Sequence, residues 1–222
     1  TPREMNILAI KLRHVGDNLL ATPALALLKK RYPGARISYM VPREGGGADL
    51  FHGLPFIDEV IEFPPDAPSR ITLAQKLRNA GFDLTVDFSW DTRSAGWGLF
   101  TGAPQRIGYH FRKRMPVWPF YTRACPMGQS HTAMANIELA ALVDARPETE
   151  DDLKLRLHVP AAVRARADEL LRDAGIGDQE PFVLLHPTSR WTFKCWTNEG
   201  NARFLDEAEK RLGLRPVVTS SP

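Results

Sequence analysis

One segment near the start of the chain limits the folds available to it more than any other. Residues 6–12, NILAIKL, form a nearly continuous apolar run, which is typical of a strand buried on both faces of a parallel sheet. A polar, glycine-containing loop over residues 13–18 follows. A helix is then predicted with Thr22 as N-cap and Pro23 in its first turn, ending before Pro33-Gly34. A second strand over residues 36–41 completes a strand–helix–strand unit, which implies a right-handed parallel crossover.

The same alternation continues along the chain and predicts an α/β fold. Further strands are predicted over residues 58–63, 83–88, 105–109, 182–185 and 215–219. Further helices are predicted over residues 69–80, with Ser69 as the cap, and over residues 94–101, 131–143, 160–174 and 199–212. Residues 110–130, rich in proline and aromatic side chains, are predicted to be a long ordered loop.

A domain boundary is predicted near residue 150, because residues 144–152 are acidic and contain Pro147. Residues 1–150 then form the first domain, and residues 151–222 form a linker and part of a second. The two strands predicted after residue 160 are too few for an open sheet with helices on both faces. We therefore expect residues 151–222 to be only the beginning of the second domain.

Composition excludes several classes of protein. Hydrophobic residues make up 43% and charged residues 25% of the 222 residues, which is typical of a globular chain and not of a disordered one. No apolar run approaches the roughly 18 residues that a membrane span needs. The two cysteines, Cys125 and Cys195, favour reduced thiols over a disulfide framework, and hence a cytoplasmic protein.

The charge is distributed unevenly, although its formal sum is only +3. Between Asp91 and Glu138 there is no acidic residue. The basic residues of this stretch are Arg93, Arg106, Arg112, Lys113, Arg114 and Arg123. Such a segment indicates an anionic partner, or else a solvated loop whose charges pair with acids such as Asp58 or Glu62. A non-catalytic module that binds anions or nucleic acid is one hypothesis for it.

The first candidate site is Gly16-Asp17, which follows the first strand. Ligands bind at the carboxyl edge of an open α/β sheet, where Gly16 would let a ligand approach the backbone closely. Asp17 could act there as a general base, or it could merely cap the following helix. The G-x-G-x-x-G pattern of dinucleotide-binding loops is missing from this loop.

The second candidate site is the loop HPTSRWTFKCW, residues 186–196, between a predicted strand and a predicted helix. Thr188, Ser189 and Lys194 offer two hydroxyls and a positive charge, which suit a phosphate or pyrophosphate. The alternative is a capped loop anchored by a buried tryptophan. No metal site is expected, because the six histidines are scattered and the cysteines lie far apart.

Three motifs together resemble glycosyltransferase family nine, the ADP-heptose:lipopolysaccharide heptosyltransferases. They are KLRHVGDNLLATPAL at residues 11–25, GAPQRIGY at residues 102–109 and TSRWTFKCW at residues 188–196. The Arg-His before Gly16-Asp17 and the TSRWTFKCW loop are most similar to the branch called heptosyltransferase III. Asn18 stands where the family more often has an apolar residue.

The resemblance implies a GT-B fold, in which one Rossmann-like domain binds the acceptor and a second binds the nucleotide sugar. It implies an inverting, metal-independent transfer from ADP-heptose, without a cofactor, to the inner core of lipopolysaccharide at the inner face of the cytoplasmic membrane. In that scheme Asp17 is the catalytic base. Thr188, Ser189 and Lys194 bind the diphosphate. From their positions in this sequence, we expect Gly16 and the basic residues Arg112, Lys113 and Arg114 to meet the acceptor. Nucleic acid is then not expected as a partner, and a protein acceptor is the alternative substrate.

Overall fold

The computed structural model describes residues 4–110, 119–128, 130–189 and 191–220. The chain divides into two compact units, Thr1–His158 and Val159–Pro222. The first unit runs through His158 instead of ending at residue 150, because hydrogen bonds attach the segment after residue 150 to it. The backbone N–H of Arg156 donates to the Thr22 hydroxyl at 3.0 Å, and that of His158 donates to the Leu50 carbonyl at 2.8 Å.

The first unit is built on a six-stranded parallel sheet. Its strands are β1 (Asn6–Ile10), β2 (Arg36–Pro42), β3 (Glu59–Phe63), β4 (Leu84–Asp87), β5 (Gln105–Tyr109) and β6 (Arg123–Cys125). They lie in the order β3-β2-β1-β4-β5-β6, with every neighbouring pair parallel. The predicted α/β class with a parallel sheet is confirmed.

Strand β6 was not expected, because it lies inside the segment predicted to be a loop. It pairs with β5 over three residues, with Ile107 opposite Arg123 and Tyr109 opposite Cys125. A strand of three residues at the edge of a sheet is defined by backbone pairing and carries too few side chains to show a pattern.

The described residues of this unit form five α-helices, which are α1 (Val15–Leu19), α2 (Thr22–Arg31), α3 (Ala67–Asn79), α4 (Thr92–Phe100) and α5 (Thr132–Ala140). Short 3₁₀ turns occupy Ala48–Leu50, Ala141–Val143 and Glu150–Leu153.

Three predictions about helix starts were wrong. Helix α1 occupies residues that were predicted to be loop. Thr22 lies inside α2, whose N-cap is Ala21, and the Thr22 hydroxyl donates to the Leu19 carbonyl at 2.8 Å. Helix α3 begins earlier than expected, because Asp66 and not Ser69 is its N-cap, accepting from the Ser69 N–H at 2.8 Å.

Both faces of the sheet are covered, which explains the continuous apolar pattern of its central strands. Successive side chains of β1 point to opposite faces, so Ile7 and Ala9 lie in one core cluster and Leu8 and Ile10 in the other. The first cluster includes buried residues of α2 and α5. The second includes Leu73 and Leu77 of α3, together with Phe82.

The second unit is smaller. It contains α6 (Ala161–Asp173), β7 (Phe182–Leu185), α7 (Asn198–Leu212) and β8 (Arg215–Val218), with a 3₁₀ turn at Thr192–Lys194. Strands β7 and β8 pair in parallel, with Phe182 opposite Arg215. Helix α7 is C-capped by Gly213, whose φ of 65° is the left-handed conformation that glycine adopts readily. In the part of the chain that the structure describes, no helix is both long and apolar enough to cross a membrane.

Candidate active site

The carboxyl ends of β1 and β4 define the point at which the strand order of the sheet reverses. From β1, the chain proceeds to β2 and β3 on one side, and it returns to β4, β5 and β6 on the other. At such a point an open α/β sheet is expected to bind its ligands. Gly16 and Asp17 lie just after β1, at this point of the sheet.

Asp17 is the third residue of α1 and is half-buried. The N-cap of α1 is His14 and that of α2 is Ala21, so Asp17 caps neither helix. The interpretation of Asp17 as only a capping residue is therefore wrong. Its carboxylate acts electrostatically on the buried side chains of Lys11 and Tyr39.

Three hydrogen bonds join the loops after β1 and β4. The Lys11 ammonium donates to the Phe88 carbonyl at 2.7 Å. The Leu12 N–H donates to the Ser89 hydroxyl at 2.7 Å, and the Arg13 guanidinium donates to the Ser89 carbonyl at 3.1 Å. These bonds hold the two loops together directly before α1 begins.

Lys11 is a buried charge that sequence reasoning missed. Burial lowers the pKa of its ammonium to about 8, while the carboxylates of Asp17 and Asp87 act in the opposite direction. Lys11 thus brings positive charge close to the proposed base. The signal for it was present, since it is the single charged residue in the apolar run NILAIKL.

Asp87, at the end of β4, is the second buried ionisable group that was missed. Its carboxylate accepts from the Ser89 N–H at 2.8 Å and from the hydroxyls of Ser94 and Tyr121 at 2.7 Å each. Burial raises the pKa of Asp87 to about 6, although these three hydrogen bonds favour the ionised form. The same burial, together with Asp87, raises the pKa of Tyr121.

The Asn18 side chain connects α1 to the loops after β1 and β2. Its side-chain amide is fully buried and donates to the Arg13 carbonyl at 2.7 Å and to the Gly46 carbonyl at 3.2 Å. Gly46 lies in a glycine run that packs against α1, and a Cβ at this position would lie 2.2 Å from the Pro42 carbonyl oxygen. The polar residue at position 18 therefore has a structural role in holding its neighbour, Asp17.

Gly16 faces open space. A Cβ built there would meet no atom within 4 Å, and the Gly16 φ does not require glycine. The fold itself thus accepts a larger residue at this position, and the space in front of the Gly16 backbone is available to a ligand.

Trp90 follows Ser89 in the loop after β4 and adopts a left-handed φ of 58°, which is uncommon for a large side chain. Its indole N–H donates to the His110 carbonyl at 2.9 Å, and 41% of the residue is exposed. Backbone strain of this kind is concentrated at functional sites. The sequence offered no signal for it, because the strain is imposed by the fold.

The residues of the second candidate site lie in one loop at the carboxyl end of β7. Thr188, Ser189 and Lys194 are all exposed. The loop is ordered by His186, whose ring lies 3.0 Å from the Thr219 hydroxyl after β8 and 3.3 Å from the Thr188 hydroxyl. Trp191 and Trp196 are exposed too, so the alternative of a loop anchored by a buried tryptophan is wrong.

Arg112, Lys113 and Arg114 lie outside the described residues. Of the neighbouring basic residues, Arg106 donates to the carbonyls of Phe120 and Ala103 at 2.8 and 2.7 Å. The acids considered as partners for the basic loop have other partners: Asp58 pairs with Lys29 at 2.9 Å and Glu62 with Arg43 at 3.4 Å.

Metal ligation has no candidate cluster in residues 4–110, 119–128, 130–189 and 191–220, where no three His, Cys, Asp or Glu side chains are suitably grouped. That the site needs no metal stays a prediction.

Residues 70–217 match the sequence profile of glycosyltransferase family 9 (heptosyltransferase), which covers well over half of the 222-residue chain. The chain belongs to glycosyltransferase family 9. The resemblance seen in its sequence motifs is thereby confirmed.

Relatives of known structure or function agree with this family 9 assignment. "Lipopolysaccharide heptosyltransferase 3" of Escherichia coli is 26% identical over 222 residues, an alignment that covers 95% of this chain and 62% of the relative. The chain thus spans about three fifths of the length of the curated relatives it matches.

Solved structures of family 9 proteins show the same fold. The glycosyltransferase of family 9 from Veillonella parvula has a TM-score of 0.80 and 22% identity, covering 98% of this chain and 63% of that one. E. coli heptosyltransferase WaaC, solved with ADP-2-deoxy-2-fluoro heptose, has a TM-score of 0.72 and 19% identity, covering 98% of this chain and 70% of that one. The predicted GT-B-type α/β fold is confirmed.

Proposed function

We propose that the protein containing this chain transfers a heptose from ADP-heptose to the inner core of lipopolysaccharide. The observation that carries the proposal is the position of Asp17, at the strand-order reversal of a family 9 chain. The curated relative is a lipopolysaccharide heptosyltransferase, and WaaC was solved with an analogue of ADP-heptose. Both names support this donor and this acceptor.

In the proposed reaction, the Asp17 carboxylate accepts the proton of an acceptor hydroxyl as its oxygen attacks the anomeric carbon of the heptose. The bond between that carbon and the diphosphate oxygen breaks, and ADP leaves. Attack from the face opposite to the diphosphate inverts the configuration. The neighbouring Lys11 ammonium brings positive charge to this part of the site.

The donor diphosphate is proposed to bind to Thr188, Ser189 and Lys194 of the second unit. Two hydroxyls can donate hydrogen bonds to phosphate oxygens, and the Lys194 ammonium can stabilise the negative charge that builds on the departing ADP. A lysine supplies this charge directly, so we propose a transfer that uses neither a metal nor another cofactor.

The acceptor is proposed to approach the backbone at Gly16 and to place its phosphate groups against Arg112, Lys113 and Arg114. The free space in front of Gly16 supports the first contact. The absence of acidic residues between Asp91 and Glu138 in the sequence supports the second. Such an acceptor is held by lipid at the inner face of the cytoplasmic membrane, where we propose that the enzyme works.

The proposal is tested with the protein that carries residues 1–222, ADP-heptose and a phosphorylated core acceptor, in the presence of a chelator. We expect ADP release matched by addition of one heptose to the acceptor. Asp17→Asn should lower turnover by roughly 10²–10⁴, the usual contribution of a general base, with little change in donor affinity. Asp173→Asn, an exposed acid at the end of α6, is the matched control. Near-normal turnover of Asp17→Asn would exclude Asp17 as the base.

A further inference from the structure

An open groove lies between α3 and α4, and none of the residues that line it is assigned to the reaction. Its volume is about 440 Å³, and its wall includes Ile71, Ala74, Trp97 and Phe100, with Arg70 and Arg93 beside them. Ile71 is 64% exposed and Phe100 is 49% exposed. Apolar side chains gathered on an exposed surface indicate an interaction site.

Of these apolar side chains, Ile71 and Phe100 lie outside both core clusters, whereas Trp97 packs against the second cluster. Helix α3 contributes Leu73 and Leu77 to the core, and both are buried. Ile71 belongs to neither core cluster. Folding therefore leaves Ile71 and Phe100 exposed on adjacent helices, with the Phe100 ring centre 6.4 Å from that of Trp97.

The two guanidinium groups of the groove lie near the Phe63 ring, and that of Arg70 also donates to backbone carbonyls. The Arg70 guanidinium donates to the carbonyls of Pro64 and Pro65 at 3.0 and 2.6 Å, and it lies 5.1 Å from the centre of the Phe63 ring. The Arg93 guanidinium lies 5.9 Å from the same ring centre. Among the described residues, no carboxylate oxygen lies within 4.0 Å of either guanidinium.

The groove also lies at a suitable edge of the sheet. Helices α3 and α4 begin shortly after the carboxyl ends of β3 and β4, so Arg70 and Arg93, in their first turns, lie toward that edge. Asp17 follows β1 at the same edge. A surface in contact with both arginines would therefore lie at the carboxyl edge of the sheet, where Asp17 would meet an anchored substrate.

We propose that the groove between α3 and α4 docks on an anionic phospholipid bilayer. The argument is charge complementarity: an occupant must bring apolar material and negative charge side by side, and phospholipids with phosphate headgroups do so. Ile71 and Phe100 would enter the boundary of the acyl chains, while Arg70 and Arg93 contact phosphates. The proposal rests on the proposed function in one respect, that the acceptor is anchored in that bilayer.

The test is flotation of the protein with vesicles of phosphatidylglycerol and phosphatidylcholine, compared with vesicles of phosphatidylcholine alone. We expect binding to the anionic vesicles that weakens as salt rises, because exposed charges are screened over about 8 Å at physiological ionic strength. The double variants Ile71→Gln/Phe100→Gln and Arg70→Gln/Arg93→Gln should each lower the partition coefficient tenfold or more, with an unchanged melting temperature.

Matched controls come from exposed positions of the second unit. Val163→Gln, at a site 57% exposed on α6, and Arg164→Gln/Arg203→Gln should leave vesicle binding unchanged. Equal binding of wild type and both groove variants would overturn the proposal, as would equal binding to the neutral vesicles. A self-association abolished by Ile71→Gln/Phe100→Gln, without vesicle binding, would assign the groove to a second copy of the chain and overturn it as well.

A delipidated, water-soluble core acceptor separates this proposal from the proposed function. The groove variants should transfer heptose to this acceptor with the kcat and KM of the wild type. Loss of transfer by the wild type would contradict the proposed function, whereas loss of vesicle binding alone would contradict only the groove. A large drop in soluble-acceptor turnover in the Ile71→Gln/Phe100→Gln variant would place the groove in the reaction and overturn its docking role.

Discussion

Tyr39 on β2 donates its hydroxyl hydrogen to the side-chain oxygen of Asn18 on α1 at 2.9 Å, and both side chains are fully buried. The Asn18 amide simultaneously bonds to carbonyls of the loops after β1 and β2. A single residue thus ties the helix that carries Asp17 to two separate parts of the sheet edge.

This relationship predicts a coupled effect on stability. Asn18→Leu should lower the free energy of unfolding by about 2–4 kcal/mol, because several buried polar groups lose their partner. Tyr39→Phe alone should cost about 1 kcal/mol. It should cost less in the Asn18→Leu background, where the hydroxyl has lost its side-chain acceptor and keeps only the backbone carbonyl of residue 18, at 3.2 Å. Urea unfolding of the four proteins measures the coupling. Additive losses within about 0.3 kcal/mol would show that the two residues act independently.

Gly16 offers a test in which function and stability move in opposite directions. Gly16→Ala lies in α1 and has free space, so it should raise the free energy of unfolding by roughly 0.5–1 kcal/mol. If an acceptor approaches the backbone here, the same variant should raise the acceptor KM while leaving ADP affinity unchanged. Gly34→Ala, which also has free space, is the control for the substitution itself. Unchanged acceptor kinetics would remove Gly16 from the binding surface.

The raised pKa of Asp87 leads us to expect that the stability of the protein depends on pH. Its pKa is raised from 3.8 to about 6 in the folded protein, so the folded state binds more protons than the unfolded state between these values. Its contribution to stability is therefore fully present below about pH 4 and is lost as the pH rises through about 6. Two pKa units correspond to roughly 3 kcal/mol.

The measurement is the difference in unfolding free energy between wild type and Asp87→Asn at several pH values. The difference isolates Asp87 from acids such as Asp58 and Glu59, whose lowered pKa values act in the opposite sense. We expect the wild type to lose stability relative to Asp87→Asn from pH 4 to pH 7. A difference that is constant over this range would show that Asp87 is ionised throughout.

The proposed role of Lys194 leads us to expect that its removal weakens binding of the donor nucleotide. If its ammonium meets the diphosphate, Lys194→Ala should weaken ADP binding by about 1.5–3 kcal/mol, or roughly 10- to 150-fold, and should slow transfer. Calorimetric titration with ADP in the protein that carries these residues is the measurement. Lys210→Ala, an exposed lysine on α7 of the same unit, should change nothing. Equal affinities in the two variants would place Lys194 outside the donor site.

Much of the candidate site could be predicted from short stretches of the sequence. Asp17 was placed after the first strand because an apolar run, a glycine-containing break and a proline-led helix are short-range signals. The loop with Thr188, Ser189 and Lys194 was located in the same way. Lys11 and Asp87 were missed because an ionisable residue in an apolar strand has no local signature for the partners that it will have.

The sequence by itself determined the α/β class, the positions of the main strands and helices, and the location of Gly16 and Asp17 just after the first strand. These follow from side-chain periodicity and from the handedness of parallel crossovers, which are properties of neighbouring residues. Only the tertiary structure decided that β6 pairs with β5, that the glycine run packs on α1, and that Lys11 meets the Phe88 carbonyl 77 residues away. Backbone pairing and buried polar contacts between distant segments depend on the assembled sheet, because each donor finds its acceptor only when two loops are brought to the same edge.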